Sequence, residues 1–519
     1  MAVRGISEAD SRFIPGPGRA IERVPAGVTA FVGRTLKGPV AKPLRVQSFA
    51  GFTQIFGGLW QPSCLSYAIE QFFENGGREA VIVRVINGAT PATLTLPGVH
   101  GALRLVAVNP GSREYLRAAV DYDGITAEDR FNLIVQRLAV AGSEQVQEQE
   151  IQRNLSVEPG SARFVADALR ASALARVTGA VPASRPDPTG VGPHGAVVGY
   201  VGANADGDDG GPLSDYDIIG SLPRRTGIFA LGADTDFDLL YIPPLTRDQD
   251  LGLSTLLVAA RFCHERRALQ IVDPPQRWTQ VQEVLDGLNA WPFRSGDAAM
   301  FFPRLMAFDR LRNRMASFAP GAAAAGMLAR ADGVRETALR PMLRPAVQLA
   351  AEQGERLAHA GVNILEPLRP GPPQRSRSCT LSSGVSSSAE GRHLAAHRLT
   401  LQLVNSVERG TRWVLSAPNA AATWERAGQQ IEHFLDTVRA EGALAPGAFR
   451  DCCLVVWDER VNRPSTIAAG DVNLLFGYAL RQPGALQCWL LTHHPGGSRV
   501  RPVTINRQAV PSSLPALPV

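Results

Sequence analysis

Lysine is almost missing from this 519-residue chain: only Lys37 and Lys42 are present, and arginine supplies nearly all the positive charge. No block of five or more basic residues occurs, and 53 basic against 48 acidic side chains leave +5 over a large surface. A nucleic-acid footprint is therefore not expected, whereas arginine suits bidentate pairing with carboxylates across protein interfaces. Cysteine is sparse too. Cys64, Cys263, Cys379, Cys452, Cys453 and Cys488 show no Cys-x-x-Cys spacing, and the adjacent pair is poorly placed to bridge itself, so reduced thiols are expected. No run of about 18 apolar residues exists to span a bilayer, which argues against membrane insertion. The opening MAVRGISEADSRFIPGPG holds no apolar h-region, so no secretory leader is expected and the protein should stay in the cytoplasm.

What is present reads as a soluble multidomain protein. Hydrophobic residues make up 45% and charged residues 19%, and this length implies two to four cores. Val28 to Val32 is a short β-branched run closed by Gly33, with a Gly38-Pro39 turn after it. Phe49, Phe52, Ile55 and Phe56 share one helical face that Gly57-Gly58 ends. A second helix is expected from about Ser66 to Glu74, leaving through Asn75-Gly76-Gly77, and Ala80 to Val85 is a buried strand.

Residues 1–25, with Pro15, Pro17 and Pro25 and no periodic stripe, read as an extended arm, and 26–87 as the segment packing with the core. Residues 88–200 alternate in short apolar segments and form a β-rich inserted domain, with one helix at Ala162 to Ala175 behind a Ser161 cap. Residues 201–390 read as an α/β domain in which strand and helix alternate from about 226 to 350. The runs LLYI and LQIV are apolar on both faces, as parallel strands under helices are. The serine-rich Gly384 to Glu390 reads as a linker. Residues 391–493 then hold a helix at Leu394 to Glu408, a strand WVLSAP, a helix at Trp424 to Glu441, and strands CCLVVWD and LQCWLLT. Residues 494–519 read as a proline-rich tail.

The order GVTAFVGRTLKGPVAKPLRVQSFAGFTQIFGGL, YAIEQFFENGGREAVIVRV, FNLIV, NLSVEPGSARFVADAL, DFDLLYIPPLT, IVDPPQRWT, SVERGTRWVLSAPN and WERAGQQIEHFLDTVRAEGAL resembles the sheath proteins of contractile phage tails and related contractile injection systems. The resemblance implies a fold class of α/β and α+β multidomain type: a subtilisin-like α/β sheath core, a β-rich insertion, an α+β carboxy-terminal domain and extended terminal arms. It implies a structural subunit, not an enzyme, and no cofactor. The subunit would polymerise as hexameric rings stacked around an inner tube, with baseplate and terminal cap proteins as further partners, assembled in a bacterial cytoplasm. Arms that add strands to neighbouring copies make Ile6, Phe13, Ile14, Ile21, Val24, Leu486, Cys488 and Leu490 candidates for strand exchange. Arg426, Glu432 and Arg439, on the polar side of the Trp424 helix, are candidates for inner-tube contact. Cys379 stands where the family usually has an arginine before TLSS, and the aromatic-rich segment after it is replaced by GVSSSAEGRHLAAHR.

Chemical motifs are weak by comparison. Gly33 and Gly38 have the spacing of a phosphate loop, but Pro39 and Val40 stand where Lys and Ser/Thr would be needed. A degenerate subtilisin-like hydrolase is the alternative to a sheath, and a non-contractile scaffold is a third reading. No nucleophile or histidine segment of a triad stands out, with His264 and Ser254 read as helix surface. His393 and His397 are four apart without the glutamate of a zinc hydrolase. Asp206, Asp208 and Asp209 lack the twelfth-position glutamate of a calcium loop. His493-His494 and Cys452-Cys453 lack further ligands at diagnostic spacing.

Overall fold

Val28–Gly33, six residues buried on both faces, forms β1. It is followed by β2 (Leu44–Val46), α1 (Phe49–Phe56), α2 (Cys64–Glu74) and β3 (Glu79–Arg84). The Ser48 hydroxyl caps α1 by accepting from Gly51 N, and Gly57 ends it at φ +95°, a conformation side-chain-bearing residues rarely adopt. The computed structural model describes residues 20–190, 199–330, 341–366, 378–382 and 393–505. Ile6, Phe13 and Ile14, the serine-rich linker, and the tail beyond 505 lie outside them.

The inserted β-rich unit comprises β4 (Pro91–Leu96), β5 (Leu103–Pro110), β6 (Leu116–Asp121), β7 (Arg130–Leu138), β8 (Val146–Ser156), α3 (Val165–Ala168), β9 (Ala175–Val177) and β10 (Val201–Gly202). Two antiparallel sheets, β4-β5-β9 and β10-β6-β7-β8, enclose a core that includes Leu94, Leu105, Val120, Phe131 and Leu133. The helix expected over Ala162 to Ala175 is corrected to one α-helical turn that continues as a 3-10 turn over Leu169–Ala171. It starts after Phe164, not Ser161, and the Ser172 hydroxyl accepts from the N–H groups of Leu174 and Ala175, diverting the backbone into β9. Pairing with this unit continues past residue 200: Ala205 bridges Thr93, Asp208 bridges Thr90, and Gly211 N donates to Asn87 O.

Arginines fasten this junction. Arg34 donates to the carbonyls of Asp209 and Gly210, and fully buried Arg84 donates to Gly38 O. Burial pulls the Arg84 pKa down to about 10, while nearby Glu114 and Asp209 favour its charged form.

The core resumes with α4 (Asp215–Ile219), β11 (Leu239–Tyr241), α5 (Leu253–Arg266), β12 (Leu269–Val272), α6 (Val281–Ala290) and β13 (Ala298–Phe302). It continues through β14 (Leu305–Asp309), β15 (Arg314–Phe318), α7 (Gly321–Arg330), β16 (Arg344–Pro345), α8 (Ala351–His359) and β17 (Val362–Ile364). Seven strands form one sheet in the order β17-β13-β12-β11-β1-β3-β2, parallel except for β2. Apolar layers cover both faces, as strands such as LQIV require. β14, β15 and β16 make a separate antiparallel sheet in the order β15-β14-β16. Helix α7, GAAAAGMLAR, packs on α2 through its small residues; a Cβ on Gly326 would lie 2.3 Å from the Phe72 carbonyl oxygen.

The carboxy-terminal part holds α9 (Leu394–Gly410), α10 (Ala421–Ala440), α11 (Phe449–Cys452), β18 (Cys453–Val456), α12 (Pro464–Ala468), β19 (Val472–Tyr478), β20 (Gln487–His494) and β21 (Gly497–Val503). Its sheet runs β18-β19-β20-β21, antiparallel throughout, and packs against α9 and α10. Two expectations are corrected. WVLSAP is not a strand: Arg412–Ser416 is a 3-10 turn that buries Trp413 and Val414, with the indole donating to Gln430. The stretch after His494 is not featureless either, because a tight turn at Pro495-Gly496 returns the chain as β21 along β20.

His493 on β20 is fully buried, its ring within 2.8 Å of the hydroxyls of both Thr411 and Ser498. Burial pulls its pKa down to about 4, although Glu408 favours the charged form. The unfolded chain binds this proton near 6.5 and the folded ring only near 4. Stability is therefore full above that window and falls as pH drops through it. We expect a loss on the order of 2 to 3 kcal/mol between those limits, absent in His493→Gln, measured as urea unfolding at stepped pH. Gly326→Ala should lower stability by about 1 to 3 kcal/mol through overpacking of α7 on α2. An unchanged urea midpoint would contradict that close approach.

Candidate assembly interface

The described chain enters by lying across α9. Ile21 is buried on the α9 surface at Gly410, where an added Cβ would sit 2.7 Å from Ile21 Cγ1. Val24 N donates to Ser406 Oγ at 2.9 Å, and Val24 O accepts from Gln402 Nε2 at 2.9 Å. Arg23 pairs with Glu441 at 2.6 Å, and Gly27 N donates to Asp238 Oδ1 at 2.8 Å. Asp238 is also 3.4 Å from Arg398 Nη2, while Arg398 Nη1 donates to Leu328 O. Ile21 and Val24 are thus anchors within this chain.

Leu486 directly precedes β20, and Cys488 and Leu490 are buried within it. Strand β20 is paired on both edges, by β19 and by β21, so its backbone presents no open ladder. The sheet's edges are β18 and β21.

On α10, Arg426 is exposed, Glu432 is half-buried with its carboxyl pushed up by desolvation, and Arg439 holds Asp436 at 2.6 Å and Gly447 O at 3.1 Å. Seven residues separate Glu432 from Arg439, which puts them on one stripe, whereas Arg426 lies about 120° around the helix. The three do not form one surface.

Side chains with chemical potential serve the fold. His264 Nδ1 and His397 Nε2 lie 2.7 and 3.0 Å from the two oxygens of Asp297, clasping α5, the start of β13 and α9 together. Among the described residues no serine, threonine or cysteine is hydrogen-bonded to either ring. His393 is not a helical partner of His397: it is the cap residue before α9 and is buried. A ring that protonates only near pH 4, as His493 does, is a poor general base at neutral pH. Asp209 accepts from the N–H and hydroxyl of Ser112, and Asp208 accepts from Gly210 N, so both hold a turn. Lys37 Nζ donates to Gln147 in the inserted unit. The six cysteines are free thiols, and among the described residues no group of three or more His, Cys, Asp or Glu is placed to hold a metal. The Asp297 clasp was not legible beforehand, because its three members are scattered along the chain with no local spacing to mark them.

No protein-family model and no curated protein sequence matches the chain. Solved structures do match it. A sheath tail protein of Listeria innocua aligns over 93% of this chain and 96% of its own at 10% identity and a TM-score of 0.60. The sheath complex of PVC, an extracellular contractile injection system, in its contracted state aligns over 93% and 95% at 13% identity and a TM-score of 0.52. A sheath tail protein of Desulfitobacterium hafniense covers 91% and 97% at 11% identity and a TM-score of 0.50. Identities this low speak to architecture, and at that level the chain has the fold of tail sheath proteins.

Proposed function

We propose that this protein is the sheath subunit of a contractile tail or injection particle. The observation that carries the reading is the nearly end-to-end structural match to a tail sheath protein, at a TM-score of 0.60 over 96% of that chain. In this reading the protomers form hexameric rings that stack helically around an inner tube, between a baseplate and a terminal cap, after assembly in a bacterial cytoplasm. The unit built on the seven-stranded sheet is the subtilisin-like sheath core, the β-rich unit decorates it, and the carboxy-terminal unit faces the tube through α10.

Strand exchange is the physical basis. Main-chain hydrogen bonds from a donated strand survive rotation of one rigid body against the next. With Ile21 and Val24 engaged on α9, the donated piece is the stretch holding Ile6, Phe13 and Ile14, and its acceptors are the open edges at β18 and β21. Leu486, Cys488 and Leu490 then belong to the receiving sheet, not to a donated strand. Contraction needs two packings of one protomer that differ slightly in energy. About 1 kcal/mol per subunit becomes about 6 kcal/mol over a ring of six, well above thermal energy.

Removing residues 1–20 should leave a folded, soluble protomer that no longer polymerises, assessed by circular dichroism and negative-stain imaging beside the full chain. Striated tubes from the truncated protein would overturn the strand-exchange mechanism. Full-length protein that forms neither rings nor tubes with its tube protein would overturn the sheath reading itself.

A further inference from the structure

Among the described residues, six of the fourteen large apolar side chains that are exposed lie in two places. One is the β14–β15 hairpin, where Phe308 and Met315 face each other across the ladder, each more than half exposed, with Leu311 at the tip. The other is the β8 margin of the inserted unit, where Val140, Val146 and Ile151 are exposed. Both places are also sheet edges. β15 is the outer strand of β15-β14-β16, and β8, at eleven residues, is the outer strand of β10-β6-β7-β8. Among the described residues β8 pairs only with β7 from Val146 to Ile151, and β15 only with β14. Long open edges carrying apolar side chains invite uncontrolled pairing unless something covers them.

Their charges are opposite. On the hairpin tip Arg310, Arg312 and Arg314 are exposed. Arg310 lies 3.3 Å from Glu70 and Arg312 lies 3.8 Å from Asp309, which is itself fully buried against Arg247 at 2.8 Å, so among the described residues Arg314 carries the unshared charge beside Met315. On the β8 margin Glu144 and Glu148 face solvent, and the arginines they pair with, Arg117 and Arg137, lie mostly buried behind them. A surface of aromatic residue, methionine and arginine is typical of an interface core. An exposed phenylalanine-methionine pair favours a protein partner over nucleic acid.

We propose that the β15 edge of one copy docks on the β8 edge of the next, bringing Arg314 and Met315 against Glu148 and Val146. Such a contact uses different surfaces on the two copies and so propagates instead of closing on itself. It takes the partner to be another copy, as the sheath reading does, but it lies away from the terminal arms and can fail without them.

The test uses the full chain with Val146→Cys in one preparation and Met315→Cys in another, mixed under mild oxidation with copper phenanthroline. Native thiols interfere little, since four are buried and the half-buried Cys64 and Cys379 thiols are pushed up to about 11 by desolvation. A mixed disulfide dimer is expected, with homodimers scarce. Reversing Arg310, Arg312 and Arg314 to Glu on the Met315→Cys chain should cut its yield about tenfold at low salt, and raising the salt should weaken the unreversed pair. Glu144→Arg with Glu148→Arg on the other chain should restore the yield. Disulfides only within each preparation, or none between them, overturn the proposal. If tubes still form in those samples, the sheath reading stands and this contact alone falls.

Discussion

Strand β1 cannot be completed by its neighbours in sequence. One edge takes β3 through Val28 to Gly33, but the other must wait for β11, with Thr29 beside Leu239, on the far side of the whole inserted unit. Every residue of β1 is buried, so an unpaired edge there would leave backbone polar groups dry. Closing that edge draws the ends of the insertion together at Asn87 and Gly211. It also aligns α5, α6 and the strands after them on the other half of the sheet.

The scarcity of lysine makes sense in this frame. The junctions between units are lined by arginines that donate to backbone carbonyl and carboxylate oxygens. Arg34 reaches two, Arg84 reaches Gly38 from a buried position, and Arg398 joins α9 to the end of α7 and the start of β11. A planar, forked cation fits such work, and an ammonium at Arg84 would lose the fixed geometry while still being desolvated. Glu408, held below the ordinary carboxylate range by Arg412 and Arg267 despite its burial, repeats the pattern between α9 and α5.

Local signals made much of this fold legible. The phenylalanine spacing of α1 was readable because Gly57 ends it unambiguously, and the parallel strands because LLYI and LQIV are apolar on both faces. Helix α7 was not, since an all-buried GAAAAG run has no polar face from which a period could be read. WVLSAP looked like a strand because tryptophan, valine and leucine favour strands, yet Gln430 on α10 holds the indole and the backbone tightens into a turn. Strand β21 was hidden by its proline, although Pro502 is tolerable on an outermost strand. Among the strand-exchange candidates, apolarity alone marked Ile21 and Val24. Whether such residues reach outward or inward depends on α9, nearly 400 residues away.

The way residues 21–27 lie on α9 has a mechanical corollary. A pull delivered at Ala20 meets the Ile21 side chain seated over Gly410, the Arg23–Glu441 pair, the two backbone bonds of Val24 and the Gly27–Asp238 bond along one continuous track. Force along such a track is shared in shear among several contacts at once, where a strand peeled from one end would surrender them singly. The seat on α9 therefore behaves as a tow point, passing tension into the helix and the central sheet before the segment itself lets go.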